Sequence, residues 1–167
     1  MSKFLLYEFS GEARDNLDPI EVLKFVPTIR KPFLSLLNET GKEKDYHNFW
    51  VELRWAIVTF FSYEIFYVIT NNEIIHTSYC AKKCFKFPFM KSDDYHIGPC
   101  HTTTRARGQR VYPSVLTKIA SEKYNNNHIY MVVEDTNLSS RHGVETAGFH
   151  VIGELQRSRF LKRYRIK

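Results

Sequence analysis

The chain has 167 residues, of which 43% are hydrophobic, 15% aromatic and 25% charged, values that fit a compact soluble fold and exclude a disordered or low-complexity chain. The formal net charge is +6, yet Arg157, Arg159, Lys162, Arg163, Arg165 and Lys167 supply +6 without an acid from Gln156 onward, so the rest sums to zero. A basic body built to hold nucleic acid is excluded by that distribution.

Lys3 to Phe9 reads as a first strand and GEARDNLDP as the turn after it. Asp18-Pro19 predicts a helix start, Asp capping and Pro in the first helical position, with Ile20, Leu23, Lys24 and Val26 following until Pro27. A short helix is expected over Pro32–Asn38, and a longer one from Asp45, where Phe49, Leu53, Ala56, Ile57 and Phe60 keep helical spacing. Tyr63–Thr70 and Glu73–Ala81 are rich in β-branched and aromatic residues, and Asn71-Asn72 joins them as a tight hairpin.

Tyr95–Thr104 is the next predicted strand. It runs into a turn carrying Arg105, Arg107, Gly108 and Arg110, then into a helix whose apolar face is a double row, Val111, Val115, Ile119 beside Tyr112, Leu116, Ala120. Pro113 fits only in the first turn, which sets the start near Gly108–Val111. No acid lies between Tyr95 and Ser121. Unpaired helix N–H groups, the helix dipole and three guanidinium groups therefore converge on one place, and such a place binds phosphate.

Ile129–Val133 is an apolar strand parallel to Tyr95–Thr104, because a helix connects the two. Asn137–Ala147 is a short helix closed by Gly148, and Phe149–Leu155 and Arg159–Ile166 are closing strands. The result is one mixed α+β domain over 1–167. Cys80, Cys84 and Cys100 are an odd number without the spacing of a zinc site, so free thiols in the cytoplasm and no metal are expected. No segment reads as transmembrane, and oligomerisation is expected to stop at monomer or homodimer.

Two motifs resemble the GNAT acyltransferase superfamily. Arg105-Ala-Arg107-Gly108-Gln109-Arg110 is similar to its [Q/R]-x-x-G-x-[G/A] pyrophosphate turn, and Asn137-Leu-Ser-Ser140 with Ala147-Gly148-Phe149 is similar to its later N-x-x-[A/S]…GF motif. The likeness covers about Tyr63 to Leu155. It implies a central, mostly antiparallel sheet with one splayed parallel strand pair, flanked by helices, and transfer of an acetyl group from acetyl-CoA (coenzyme A) to a primary amine. Within the family, Ile97-Gly98-Pro99-Cys100 and Val111-Tyr112-Pro113 resemble members of bacterial surface-polysaccharide loci, which implies an amino sugar or sugar nucleotide as the small-molecule acceptor.

The resemblance implies that the amides of Arg107, Gly108, Gln109, Arg110 and Val111 hold the pyrophosphate, with Arg105 adding charge. Cys100 and Thr102 backbone groups and Asn137 would meet the pantetheine arm. Arg110 stands where the family has Gly or Ala, Tyr112 where a second small residue is common, and Val144 where a proton-donating Tyr is usual.

The transfer needs a base and an acid. Asp94, His96, Gly98, Cys100 and Thr102 share one parity, and strict alternation puts them on one strand face, so His96 is the expected base and Asp94, through water, the second. Tyr112 and Ser140 are the hydroxyls at hand for the acid. Other readings stay open: a silent binding module on this fold, or a nucleic-acid or anionic-membrane binder working through the basic C-terminal run, where peripheral membrane contact would arise.

Overall fold

The computed structural model describes residues 3–12, 17, 20–27, 49–60, 62–159 and 162–167, giving the backbone alone for 49–52. The predicted helix start at Asp18-Pro19, the helix over 32–38 and the start near Asp45 lie outside these residues.

Among the described residues eight strands form one sheet: β1 (Lys3–Phe9), β2 (Leu23–Phe25), β3 (Tyr63–Thr70), β4 (Glu73–Lys82), β5 (Tyr95–Thr102), β6 (Ile129–Glu134), β7 (Phe149–Arg157) and β8 (Tyr164–Ile166). Their order is β2-β3-β4-β5-β6-β1-β7-β8. Every neighbouring pair is antiparallel except β5–β6. Helix α1 (Phe49–Thr59) precedes β3, α2 (Val111–Lys123) joins β5 to β6, and α3 (Leu138–Thr146) joins β6 to β7. This is the expected mixed α+β fold with its single parallel pair.

Period-two alternation sorts the sheet's side chains into two layers. On one face Leu5, Tyr7, Phe9, Phe66, Val68, Cys80, Ile97, Met131 and Val133 meet Val111, Val115, Leu116, Ile119 and Ala120 of α2 and Val144 and Ala147 of α3. The predicted double row on α2 is thus its buried face; Val115, Leu116 and Ile119 are each worth about 1.5–3 kcal/mol by burial. The opposite face carries Trp55 and Ala56 of α1 on Tyr63, Ile65, Tyr67 and Tyr79, and the 83–94 loop with Cys84, Phe87 and Met90.

Asn71 and Asn72 have φ of 52° and 62°, the left-handed pair that a two-residue hairpin needs. Gly148 closes α3 at φ 89°, where an added Cβ would lie 2.5 Å from the Glu12 carbonyl oxygen. The helix expected over Ile20–Val26 is corrected: Leu23, Lys24 and Phe25 pair antiparallel with Tyr67, Phe66 and Ile65. The free edge of β3 supplies hydrogen bonds that so short a helix cannot match. Leu23 and Phe25 also pack beneath α1's layer, while the Lys24 Nζ reaches Glu122 Oε1 of α2 at 2.8 Å. The basic C-terminal segment becomes β8, paired with β7, and the Arg163 guanidinium lies over the Phe85 ring.

Candidate active site

Parallel pairing between β5 and β6 is confined to Tyr95↔Ile129 and His96↔Tyr130. Beyond these pairs β5 continues to Thr102 against β4 alone, so the two parallel strands separate and leave a mouth at their C-terminal ends. The N-termini of α2 and α3 both stand at this mouth, since each helix follows one of the two strands.

The basic turn shapes one side. Ala106 N–H donates to Thr103 O and Arg107 N–H to Thr104 O, a short 3-10 turn that stops before Gly108. Gly108 has φ 78°, with nothing within 4 Å of where a Cβ would stand. Arg110 adopts φ 58°, ψ 9° as the residue capping α2, a left-handed conformation costing a non-glycine residue roughly 1–2 kcal/mol. The first backbone bond into α2 runs from Ser114 N–H to Arg110 O at 3.1 Å. The Val111 and Tyr112 amides therefore precede intrahelical bonding, and Pro113, third in the helix, has none to offer. No acid occupies the first turn. A concave run of amides at the positive end of a helix, open at Gly108, fits a pyrophosphate. The Arg107 amide is already spent on Thr104, which narrows the expected cradle to Gly108–Tyr112. Arg105 is ion-paired with Glu73, Arg107 Nε donates to Thr102 O at 3.2 Å, and Gln109 Nε2 to Arg105 O at 3.0 Å.

On the other side, Asn137 caps α3 by accepting from Ser140 N–H at 3.1 Å. Tyr112 bridges the helices: its ring sits so close to Gly143 that a Cβ there would lie 2.5 Å from Cδ1.

The one-face expectation for Asp94, His96, Gly98, Cys100 and Thr102 is corrected. Cys80 pairs with Ile97 but Ser78 with Cys100, so β5 carries one extra residue in a bulge around Gly98 and Pro99. Ile97, not His96, then shares a face with Cys100 and Thr102. His96 turns to the opposite layer, stacked on Phe87 at 3.9 Å, with neither ring nitrogen hydrogen-bonded among the described residues. Burial, reinforced by the Lys86 charge, lowers its pKa to about 3, so the ring is neutral and weakly basic. The Asp94 carboxylate accepts from Lys91 N–H at 2.6 Å and His128 N–H at 3.3 Å, tying the starts of β5 and β6 together.

The structure does bring Cys100, Thr102, Tyr112 and Ser140 together, and adds two residues the sequence reading passed over. His76 and Ser78 of β4 are buried on the same face, opposite Thr102 and Cys100. His76 Nδ1 is 2.7 Å from Thr102 Oγ1 and its Nε2 is 2.8 Å from Ser78 Oγ. Cys100 is the cross-strand partner of Ser78, both Cys100 and Tyr112 pack against the core of this face, and the Tyr112 ring lies 5.9 Å from that of His76. Burial pushes the thiol up to about 12 and the phenol well above its usual value, so both stay protonated. The available signal was that His76 and Ser78 share one parity in the middle of a predicted strand.

Among the described residues no His, Cys, Asp and Glu cluster suits a metal, and no helix is long and apolar enough to cross a membrane. No family model and no curated protein matches the chain. Solved structures do. A GNAT-family acetyltransferase from Colwellia psychrerythraea aligns with TM-score 0.64 at 13% identity, over 92% of this chain and 54% of that one. A putative GNAT-family acetyltransferase from Novosphingobium aromaticivorans gives 0.61 at 13%, over 92% and 61%. A GCN5-related N-acetyltransferase from Sphaerobacter thermophilus gives 0.58 at 11%, over 92% and 49%. The chain thus has the fold of GNAT acetyltransferases, and spans about half to three-fifths of the length of these structures.

Proposed function

We propose that the chain is a GNAT-type N-acetyltransferase that moves an acetyl group from acetyl-CoA directly to a primary amine, with an amino sugar or sugar nucleotide as the leading acceptor class. The observation that carries this reading is the mouth between β5 and β6 lying beside the amide cradle at Gly108–Tyr112. Acetyl-CoA would supply an acyl carbon activated as a thioester, whose sulfur leaves and needs a proton. Gly108, Gln109, Arg110, Val111 and Tyr112 would hold its pyrophosphate through backbone amides, with Arg105 and Arg107 adding positive charge. The β5 backbone at Cys100 and Thr102 and the cap residue Asn137 would flank its arm. Holding the thioester and amine together supplies much of the rate, so the protein needs only modest proton transfer. Tyr112, with Ser140 beside it, takes the proton donor's part that Val144, fully buried, cannot.

His96 is a poor base at its buried position, which favours an amine that arrives already neutral. Calorimetry with acetyl-CoA, joined to thioester consumption over a panel of amines, tests the reading. Binding without consumption by any amine sinks it in favour of a silent binding module, and absence of binding sinks both. Gly108→Trp keeps the surrounding packing, because the Cβ direction is open, and costs only backbone strain of about 1–2 kcal/mol. It is expected to abolish acetyl-CoA binding while circular dichroism stays native; unchanged affinity would place the phosphate elsewhere.

A further inference from the structure

We propose that the layer opposite α2 and α3 is a docking surface for an anionic lipid bilayer, built where the end of α1, the 83–94 loop and the approach to β8 meet. This goes beyond the acyl-transfer reading and does not depend on it.

Two basic runs, distant in sequence, supply the charge. Lys82, Lys83, Lys86 and Lys91 lie between Glu73 and Asp93 without an acid among them, and the six cations from Arg157 to Lys167 lie in another acid-free run. The fold joins the two. Tyr164 N–H donates to Lys86 O at 2.9 Å, the Tyr164 ring stacks on Phe87, and the Arg163 guanidinium lies 4.4 Å from the centre of the Phe85 ring. Among the described residues, Lys167 with Glu154 is the one ion pair these runs make. Like charge is crowded here: burial, with the Arg54 and Arg157 guanidinium groups, pushes the Lys86 amine down to about 8.

Apolar side chains stand among these charges. A cleft of about 420 Å³ opens between Val58 and Phe60 at the end of α1 and Phe85 and Pro88 of the loop, with Lys83 and Arg163 also in its wall. Ile57 is 63% exposed, Phe60 88% and Phe85 52%. Phe60 has φ 51°, a left-handed backbone that disfavours a bulky residue. Water compensates neither that strain nor the exposed ring.

Rings and aliphatic side chains surrounded by Lys and Arg match the boundary of an anionic membrane. There the rings enter the acyl layer and the cations meet phosphate and carboxylate headgroups. A nucleic acid fits less well. Val58, Phe60, Phe85 and Pro88 offer no donor or acceptor to a base edge, and Arg163 already covers one face of Phe85. Docking leaves the mouth free, because the 83–94 loop enters β5 at Tyr95 and the mouth lies past the far end of this eight-residue strand, about 25 Å away.

Sedimentation of the full chain with large unilamellar vesicles tests the surface, at about 0.1 M salt, where charges are screened over about 10 Å. Phosphatidylcholine vesicles with about 30% phosphatidylserine are expected to carry the protein down, and pure phosphatidylcholine vesicles at least about tenfold less. About 1 M salt should release it. Lys83→Gln and Arg163→Gln should each weaken partition about fivefold, the loss of one cation near a charged surface. Lys118→Gln changes the net charge equally but is exposed on α2, in the other layer, and should leave partition unchanged. Phe60→Asn removes the ring, suits the left-handed backbone and keeps the charge; it should weaken partition about tenfold or more.

No sedimentation, or equal partition to neutral and anionic vesicles, overturns the proposal. Equal weakening by Lys83→Gln and Lys118→Gln overturns it in favour of diffuse attraction by net charge, and undiminished partition of Phe60→Asn overturns the apolar contact on which it stands. Duplex DNA that withdraws the chain from phosphatidylserine vesicles in competition overturns it in favour of a nucleic-acid partner. None of these readouts uses acetyl-CoA, so failure here and failure of the acyl-transfer reading are seen separately.

Discussion

A methyl group added at Gly143 measures how tightly α2 and α3 are locked through Tyr112. The Cβ of Gly143→Ala would stand 2.5 Å from Tyr112 Cδ1 and 2.8 Å from Cε1, closer than carbon atoms in contact allow. Two effects oppose. Alanine in the middle of a helix is favoured over glycine by about 1 kcal/mol. Forcing a methyl into a filled space costs about 1–3 kcal/mol. The ring is rigid and packed between Gly143 and the His76 ring, so it cannot swing away cheaply. The net expectation is a loss between zero and about 2 kcal/mol in the native background. With Tyr112→Ala already present the clash is gone, and the same substitution should stabilise by about 1 kcal/mol. Urea unfolding of the four proteins, followed by circular dichroism, gives the coupling between the two sites, expected at about 1–3 kcal/mol. If Gly143→Ala stabilises equally in both backgrounds, Tyr112 does not occupy the space between the helices, and its placement at the mouth falls with it.

Two further outcomes follow from the same geometry. His96, with a folded pKa of about 3 against 6.5 when solvated, is protonated in the unfolded chain first. It therefore makes stability fall as pH drops below about 6.5, by up to about 1.4 kcal/mol per unit until about pH 3. His96→Leu should flatten that slope in urea unfolding at pH 7 and pH 5, and parallel slopes would mean the imidazole is not buried. At the hairpin, Asn72 sits at φ 62°, so Asn72→Val should cost about 1–2 kcal/mol and Asn72→Gly almost nothing; equal melting temperatures for the two would contradict the turn.

Much of this molecule was legible because its decisive features are local. The Asn71-Asn72 turn, the double apolar row on α2, Pro113 in the first turn and Gly148 after α3 each follow from chemistry within a few residues, and each stands as expected. Elements whose identity depends on a distant partner were not legible. Leu23–Phe25 carries helical spacing and becomes a strand because β3 has an edge to pair. The bulge at Gly98 and Pro99 adds one residue to β5, and one residue is enough to reverse every side chain before it relative to those after it. That reversal separates the residues that strict alternation had joined. It sends His96 to the Phe87 layer, away from the helices, and leaves Cys100 and Thr102 facing α2.

The same bulge rearranges the strand residues proposed for proton handling and leaves the proposed phosphate turn untouched. A phosphate cradle is made of backbone amides at one helix end, so a motif of six residues specifies it nearly alone. Proton transfer needs side chains from several strands in register, and register is set by pairing. With Cys100 brought opposite Ser78, the buried His76 and Ser78 of β4 share its face, and the Tyr112 ring of α2 lies against His76. The departures from the GNAT pattern then belong together: a large residue at Tyr112 is accommodated by Gly143, and it brings a hydroxyl to the mouth in a chain where Val144 has none.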